Sequence, residues 1–264
     1  MVRSARLVIG ARLSISLFES EGQMVEARLH FETAIEDLRE LLEDTGSKVE
    51  ETIDLAVRSY FMQEPRIGSD TLELSNHVSA CVHRVDEIIL QLLSSKLLTP
   101  TDMRHLIAYV KVNALLEQIA SLAVHTSDLS LSYNRIGVDW PTNVPRLSVA
   151  VCGQLRNALQ ALLRTDVDLA EAVLDSSSNV ALMGNDAWVK LVERMKPSPE
   201  SIPHALSAIL IVRNLEAVGE HAKSTAGWIL FWIDGNGART CHIPNGSQSL
   251  AATPRSKSFK QEIG

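Results

Sequence analysis

Apolar residues recur every three to four positions along most of the chain, with acidic and other polar residues between them. From Phe31 to Met62 this period places a set of aliphatic side chains on one face. The set is Ile35, Leu38, Leu42, Val49, Ile53, Ala56 and Val57. Such spacing is typical of an amphipathic α-helix, and it returns in five later segments. The chain is therefore predicted to be all-α, with six helices.

Prolines, glycines and capping residues separate the predicted helices. The breaks are QEPRIGSD (63–70), LLTPTDMR (97–104), NRIGVDWPTNVP (134–145), RTD (164–166) and KPSPES (196–201). Proline is tolerated at the start of a helix but not inside it, and serine, threonine or aspartate caps the first turn. The helices are expected at about 31–62, 70–95, 100–133, 144–164, 166–195 and 198–232. Thr45-Gly46 and Gly184-Asn185 are the positions where a helix is most easily interrupted.

The breaks divide the chain into five parts. They are a disordered extension at 1–27, a three-helix bundle at 28–134, a linker at 135–144, a second three-helix bundle at 145–235 and a disordered tail at 236–264. The tail is polar and lacks periodicity, which is why no helix is expected there.

The two bundles carry an internal repeat. When the third helix is laid on the sixth at an offset of 99 positions, without gaps, several residue types coincide. The coinciding pairs are Pro100–Pro199, His105–His204, Leu116–Leu215, Glu117–Glu216, Ala123–Ala222 and Thr126–Thr225. Leucine and alanine match often by chance in helices, whereas proline, histidine and glutamate in one register do not. The pattern predicts a duplicated three-helix unit.

Composition narrows the class of protein. Aromatic residues make up only 5%, so aliphatic side chains must form the core. The net charge of −7 argues against a general nucleic-acid binder, which needs a basic surface. No uninterrupted apolar run is long enough to span a membrane. The three cysteines are far apart, with no metal-binding spacing, and indicate reduced thiols in a cytosolic protein.

The acidic pair Glu216 and Glu220 is the strongest candidate for chemistry. The two carboxylates lie four residues apart on one helix face, where they repel each other weakly unless a cation lies between them. Magnesium, manganese and iron accept such oxygen ligands. His221 points about 100° away from Glu220 and is less suited to the same site. A solvated acidic face flanked by Arg213 and Lys223 is the simpler interpretation.

Catalytic motifs are missing from the sequence. It contains no GxSxG, Walker A, GxGxxG or HExxH pattern, and no set of nucleophile, base and oxyanion hole can be assembled. The residues alone therefore indicate a duplicated helical protein without an evident active site.

The segment SAILIVRNLEAVGEHAKSTAGWILFWIDG resembles the final helix of the PhoU family, whose signature there reads like NLERIGDHAxNIAE. The signature is kept at Asn214, Leu215, Glu216, Gly219, His221 and Ala222, while Glu220 replaces the usual aspartate. The first repeat is similar at Asp102, Arg104, Lys111, Leu116, Glu117 and Ala123. The segments ARLHFETAIEDLRELL and WIDGNGART are similar to the opening and close of the family. The resemblance covers about Arg28 to His242.

This resemblance implies a pair of three-helix bundles that is cytoplasmic, often dimeric and not an enzyme. It also implies a negative regulator of the phosphate-starvation response that connects the phosphate transporter ATPase subunit to the sensor histidine kinase. Peripheral attachment at the inner membrane would come through these partners. Some members bind iron or other metal ions through paired E/DxxxD motifs.

The metal motifs depart from the family pattern in this chain. In the first repeat Ser121 and Leu122 replace the second acid and the histidine. The facing positions on the second helix of each bundle fall, by alignment, at Ser75, Ser79, Ser177 and Ala181. The first site then keeps only Glu117, and the second keeps Glu216 and Glu220. We therefore expect at most a weakly bound iron, manganese or magnesium ion, and a packing role for Gly219 and Ala222.

Three hypotheses remain open from the sequence. The first is the phosphate-signalling adaptor. The second is a metal-binding helical bundle that uses Glu216 and Glu220. The third is an interaction scaffold that has lost phosphate signalling.

Overall fold

Six α-helices account for nearly all of the residues that the computed structural model describes, which are 2–62, 65–94, 98–132, 143–196 and 201–235. They are α1 (Val2–Met62), α2 (Pro65–Leu93), α3 (Pro100–Ser132), α4 (Asn143–Arg164), α5 (Val167–Met195) and α6 (Ile202–Asp234). These described ranges contain no strand, so the predicted all-α class is confirmed.

The helices form two tandem bundles. Helices α1, α2 and α3 pack against one another, and α4, α5 and α6 do the same. The two bundles are joined where α3 packs along α6 and where α1 touches α4. Gly46 lies at the second contact, where a Cβ atom would come within 3.1 Å of the Leu159 side chain. The glycine that the sequence marks as a weak point therefore lets α4 approach, and α1 continues through it.

Helices α3 and α6 run antiparallel. His105, near the start of α3, stacks on Trp232, near the end of α6, with ring centroids 3.8 Å apart. At the other end of the contact, the Asn214 amide donates to the Thr126 hydroxyl oxygen over 3.1 Å. This arrangement places the two repeated helices side by side at the centre of the molecule.

Local sequence explains where α3 begins and α6 ends. The Asp102 backbone N–H donates to the Thr99 hydroxyl, and the Thr99 N–H donates to the Asp102 carboxylate over 3.0 Å. This reciprocal pair is a capping box, and it makes Thr99 the N-cap of α3. Helix α6 ends at Gly235, whose φ of 71° places it in the left-handed region that glycine adopts without strain.

The core is aliphatic, as the composition predicts. Leu38, Leu42 and Ile53 of α1 are buried, and so are Leu116 of α3 and Leu215 of α6.

The sequence also predicts Leu72 on the buried face of α2, and this is wrong because its side chain is 52% exposed. Thr71 takes the buried position instead, since it lies seven residues before Val78 and so on the same helix face. Its hydroxyl is satisfied by the Ile67 carbonyl oxygen.

Some predicted boundaries differ from the structure. The extension at 1–27 stays a prediction as a separate part of the chain, and the structure describes the backbone from Val2 onward as the first part of α1. Residues 2–27 contain no proline, so nothing in the sequence stops α1 there. The predicted linker at 135–144 lies outside the described residues except for its last two positions, which begin α4. The predicted tail at 236–264 lies wholly outside them. Helix α5 continues through Gly184-Asn185.

One segment of α3 within the described residues, Pro100–Ser130, is long and apolar enough to cross a membrane. That criterion rests on length and composition only, and a buried core helix also meets it. Here the segment packs against α1, α2 and α6.

Candidate functional site

Each carboxylate of the acidic pair on α6 has a cation from its own helix beside it. Arg213 Nη1 lies 3.0 Å from Glu216 Oε2, and Lys223 Nζ lies 3.6 Å from Glu220 Oε2. Both pairs have the i,i+3 spacing that brings side chains together on a helix surface. The repulsion between the two carboxylates is therefore offset locally without a bound metal ion.

The Glu216 side chain lies directly over the backbone of α5. A Cβ atom built on Gly184 would be 2.2 Å from Glu216 Oε1, a separation that no real Cβ atom tolerates. The residue facing Glu216 is thus Gly184, one helical turn beyond the aligned position Ala181. Glycine at this position leaves the space that the carboxylate occupies, and it supplies no ligand.

Glu117 faces the equivalent helix of the first bundle. Ser79 Oγ donates to Glu117 Oε1 over 3.4 Å, as expected from the alignment of Ser79 with the facing motif. Glu117 belongs to the first bundle, whereas Glu216 and Glu220 belong to the second. The described ranges contain no group of three or more His, Cys, Asp or Glu residues able to hold a metal ion, so the three predicted ligands do not form one site there.

His221 is a largely buried side chain. Burial lowers the pKa of its imidazole, and the nearby Glu220 carboxylate opposes that shift without overcoming it. The imidazole is accordingly neutral at pH 7. The Thr225 hydroxyl donates to the backbone carbonyl oxygen of His221, so this hydroxyl is hydrogen-bonded within its own helix.

Gly219 lies where α6 packs against both α4 and α5. A Cβ atom at this position would be 3.1 Å from Val180 Cγ1 and 3.2 Å from Gln154 Oε1. Ala222, one turn away, is fully buried. The expected packing role of these two small residues is confirmed.

Comparison with known proteins fits this architecture. A family described as "PhoU domain" matches residues 144–229, the second bundle. The phosphate-specific transport system accessory protein PhoU homolog of Pseudomonas putida is 25% identical over 212 residues, covering 79% of this chain and 82% of that protein. The crystal structure of PhoU from Pseudomonas aeruginosa superposes with a TM-score of 0.74 at 25% identity, covering 78% of this chain and 99% of that one. The second bundle thus matches the PhoU domain, and the chain is similar to PhoU proteins along most of its length.

A second solved structure supports the PhoU fold alone. The phosphate transport system regulatory protein PhoU from Streptococcus pneumoniae has a TM-score of 0.72 at 15% identity, covering 78% of this chain and 97% of that chain. The PhoU fold of two tandem three-helix bundles is therefore kept across wide sequence divergence.

The residues present do not fit the metal sites that some PhoU proteins contain. Such a site needs acidic side chains from two facing helices, because iron and manganese take several oxygen ligands. Here the groups that face Glu117 and Glu216 are the Ser79 hydroxyl and the Gly184 backbone. Glu220 is already near Lys223. No step in the function of this protein is therefore derived through a metal ion.

An aromatic cluster lies between the two bundles, and no motif in the sequence predicts it. His105 stacks on Trp232, and Tyr109 contacts both rings edge-on. Burial lowers the pKa of His105 to about 4, although Asp102 opposes the shift. The one signal in the sequence was the match of His105 with His204 in the repeat, and that match says nothing about Trp232.

An ion pair between the exposed Arg28 and the buried Asp102 connects α1 to this end of α3. Arg28 Nη1 lies 2.8 Å from Asp102 Oδ2, and the Thr99 hydroxyl donates to the same oxygen. Burial raises the pKa of Asp102, but hydrogen bonds from Thr99 and Arg28 outweigh burial and leave the pKa lowered. Asp102 therefore stays ionised at neutral pH and connects two helices.

Proposed function

We propose that this protein is a negative regulator of the phosphate-starvation response and of phosphate uptake. The observation that carries the proposal is the length of the match to its relatives. The P. putida protein named as a phosphate-specific transport system accessory protein is covered over 82% of its length. The protein of the same name from Escherichia coli, 20% identical to this chain, is covered over 87% of its length and 79% of this chain. An accessory role requires association with components of the transport system.

The partners in this proposal are the phosphate transporter ATPase subunit and the phosphate sensor histidine kinase. The protein acts as an adaptor between them, as a homodimer in the cytoplasm, and reaches the inner membrane through these partners. It binds no nucleic acid, and its net charge of −7 is consistent with that. It acts without catalysis, since the residues whose contacts are described above neither activate a nucleophile nor bind a cofactor.

Gene deletion tests the regulatory role. The deletion strain, grown with abundant phosphate, is expected to express phosphate-starvation genes that the parent strain represses. A plasmid copy of the intact gene is expected to restore repression. If the genes stay repressed in the deletion strain, the regulatory proposal is wrong.

Affinity capture tests the partners separately. The tagged full-length chain, expressed at its natural level in phosphate-replete cells, is expected to co-purify the transporter ATPase or the sensor kinase. A matched capture from phosphate-starved cells shows whether the association depends on phosphate. Capture of neither partner, with the regulatory phenotype intact, would reject the adaptor role but not the regulation.

A further inference from the structure

The outer side of α4 carries positive charge only. This helix contains three arginines and no acidic residue, although the chain as a whole has a net charge of −7. Arg146, Arg156 and Arg164 are all exposed, and they lie within about 80° of one another around the helix axis. Arg156 Nε lies 2.9 Å from Glu50 Oε2 of α1. Within the described residues neither Arg146 nor Arg164 is in a salt bridge, so this arginine stripe attracts further acidic groups.

The neighbouring helix α5 carries the opposite charge on the same outer side. Asp168, Glu171 and Asp175 are exposed, and they lie within about 60° of one another around the helix axis. None of the three is in a salt bridge in the part of the chain that the structure describes. Asp186, five turns from Asp168, lies on this side and accepts a hydrogen bond from Asn143 Nδ2 of α4 over 2.7 Å. The acidic stripe therefore runs along α4.

Two large apolar side chains are exposed on this face. Val149 of α4 is 74% exposed and Leu182 of α5 is 68% exposed, the two highest values among the large hydrophobic side chains of the described residues. Val149 falls inside the angle that the arginine stripe covers, and Leu182 falls inside that of the acidic stripe. The Asn143–Asp186 hydrogen bond and the one from Gln154 to Val173 set an antiparallel register. In that register Val149 and Leu182 differ by about 5 Å in height along the helices.

A second copy of this chain has the charges that this face needs. In a two-fold dimer whose axis runs between the copies and parallel to α4, each α4 lies over the α5 of the other copy. The register then places Arg156 level with Glu171 of the second copy, and Arg164 within about one turn of Asp168. Charges that have no partner within one chain are thus paired between two chains.

The size of the face is also suitable for a dimer. Helix α4 has 22 residues. Its length is about 33 Å and two adjacent helices are about 20 Å wide, so the face measures about 650 Å². A standard protein–protein interface buries about 800 Å² on each partner. An unrelated protein would have to match both stripes separately, whereas a second copy matches them by symmetry.

We propose that the arginine and acidic stripes of α4 and α5 form the dimer interface of this protein, with Val149 of each copy against Leu182 of the other. The inference rests on the proposed function, which includes a homodimer, and adds the surface that holds the two copies together. The dimer leaves α2 and α3 uncovered, so each copy keeps a surface for other components of the transport system.

Light scattering coupled to gel filtration tests the apolar contact. The purified full-length chain at micromolar concentration is expected to have twice the mass of one chain. Leu182→Glu should be monomeric, because it places a charge against Val149 of the second copy. Leu90→Glu on α2 is the matched control, since that side chain is 66% exposed and lies outside the face, and it should remain dimeric. A monomeric unaltered chain or a dimeric Leu182→Glu variant would overturn the proposal.

A mixture of two charge-reversal variants tests the pairing between chains. Arg164→Asp and Asp168→Arg each bring like charges together in their own dimer, so each alone should dimerise roughly ten-fold more weakly. Mixed in equal amounts, the two variants restore opposite charges at both contacts, and heterodimers should form with nearly the unaltered affinity. A mixture that associates as weakly as the separate variants would overturn the proposal, because the two charges then do not meet between chains.

The regulatory assay separates this inference from the proposed function. Each variant is expressed in the deletion strain, and repression of the phosphate-starvation genes is measured beside the mass of the protein. A monomeric chain that still represses these genes would reject the dimer interface but leave the regulatory role in place. A monomeric chain whose Arg164→Asp variant loses repression would assign the face to another protein and reject the second copy.

Discussion

At the scale of single residues, two glycines inside helices test the packing against α6. Gly153 of α4 has open space where a Cβ atom would lie, whereas Gly219 has side chains of α4 and α5 at 3.1–3.2 Å. Gly153→Ala is expected to raise the free energy of unfolding by about 0.5–1 kcal/mol, because alanine is the better helix former. Gly219→Ala is expected to lower the free energy of unfolding by about 1 kcal/mol. Crowding of the neighbouring side chains costs more than the gain in helix propensity. Urea denaturation measures both, and equal stabilisation would contradict close packing at Gly219.

The contact of Glu216 with Gly184 predicts a dependence of one substitution on the other. Gly184→Ala alone should destabilise the protein, since the new methyl group displaces the Glu216 carboxylate from its position over α5. In a Glu216→Ala background the same change should stabilise it by about 0.5–1 kcal/mol, the ordinary gain of alanine over glycine in a helix. A double-mutant cycle measures this coupling. Additive effects would show that the two residues do not touch in solution.

The acidic side chains also predict the metal content. Protein purified without chelator should contain less than a tenth of an equivalent of iron, manganese or zinc by elemental analysis. The reason is that Glu117 and Glu216 face a serine and a glycine on the neighbouring helices. The same sample after reconstitution with excess manganese and desalting serves as the comparison. Retention of one or more equivalents would revive the metal-binding hypothesis for Glu216, Glu220 and Glu117.

At the scale of helices, the α3–α6 contact predicts a pH dependence of stability. Burial holds the pKa of His105 at about 4 in the folded protein, below its ordinary value of 6.5. The unfolded chain therefore binds a proton that the folded chain does not between these pH values. The stability due to neutral His105 is complete above about pH 6.5 and declines as the pH falls towards 4, by about 3 kcal/mol in total.

The variant His105→Phe isolates this effect from other titrating groups. Phenylalanine keeps an aromatic ring against Trp232 but cannot take up a proton. His221, whose pKa is also lowered by burial, titrates in the same direction and is present in both proteins. Urea denaturation at about pH 7 and pH 5 should show a smaller loss of stability in the variant. An equal loss in both proteins would show that His105 is not buried against Trp232.

Helix positions were largely predictable, because local chemistry sets them. Pro100 begins α3 as expected, and the Thr99–Asp102 capping box fixes that boundary within one turn. What faces each helix was harder to predict. That Glu216 and Glu220 share one face follows from the geometry of a single helix. That Gly184 lies opposite Glu216 depends on the register between α5 and α6. Periodicity within a helix does not contain that information.

At the scale of the whole molecule, the side-by-side packing of α3 and α6 predicts that the two bundles unfold together. Each repeated central helix contributes to its own bundle and to the contact between bundles. Trp232 is a good place to weaken this contact, because it joins His105 and Tyr109 of the other bundle. Calorimetry of the intact protein should show one transition whose calorimetric and van't Hoff enthalpies agree.

Trp232→Ala should lower the free energy of unfolding by about 2 kcal/mol, somewhat less than for a fully buried aromatic residue, because this ring is only partly buried. The loss falls on contacts between bundles, so the variant should also show a broader transition, or two. Trp188→Ala is the matched control, since that side chain on α5 is 41% exposed. The control should keep a single sharp transition. Two transitions in the unaltered protein would mean that the bundles are thermodynamically independent, and that a signal received by one cannot reach the other through α3 and α6.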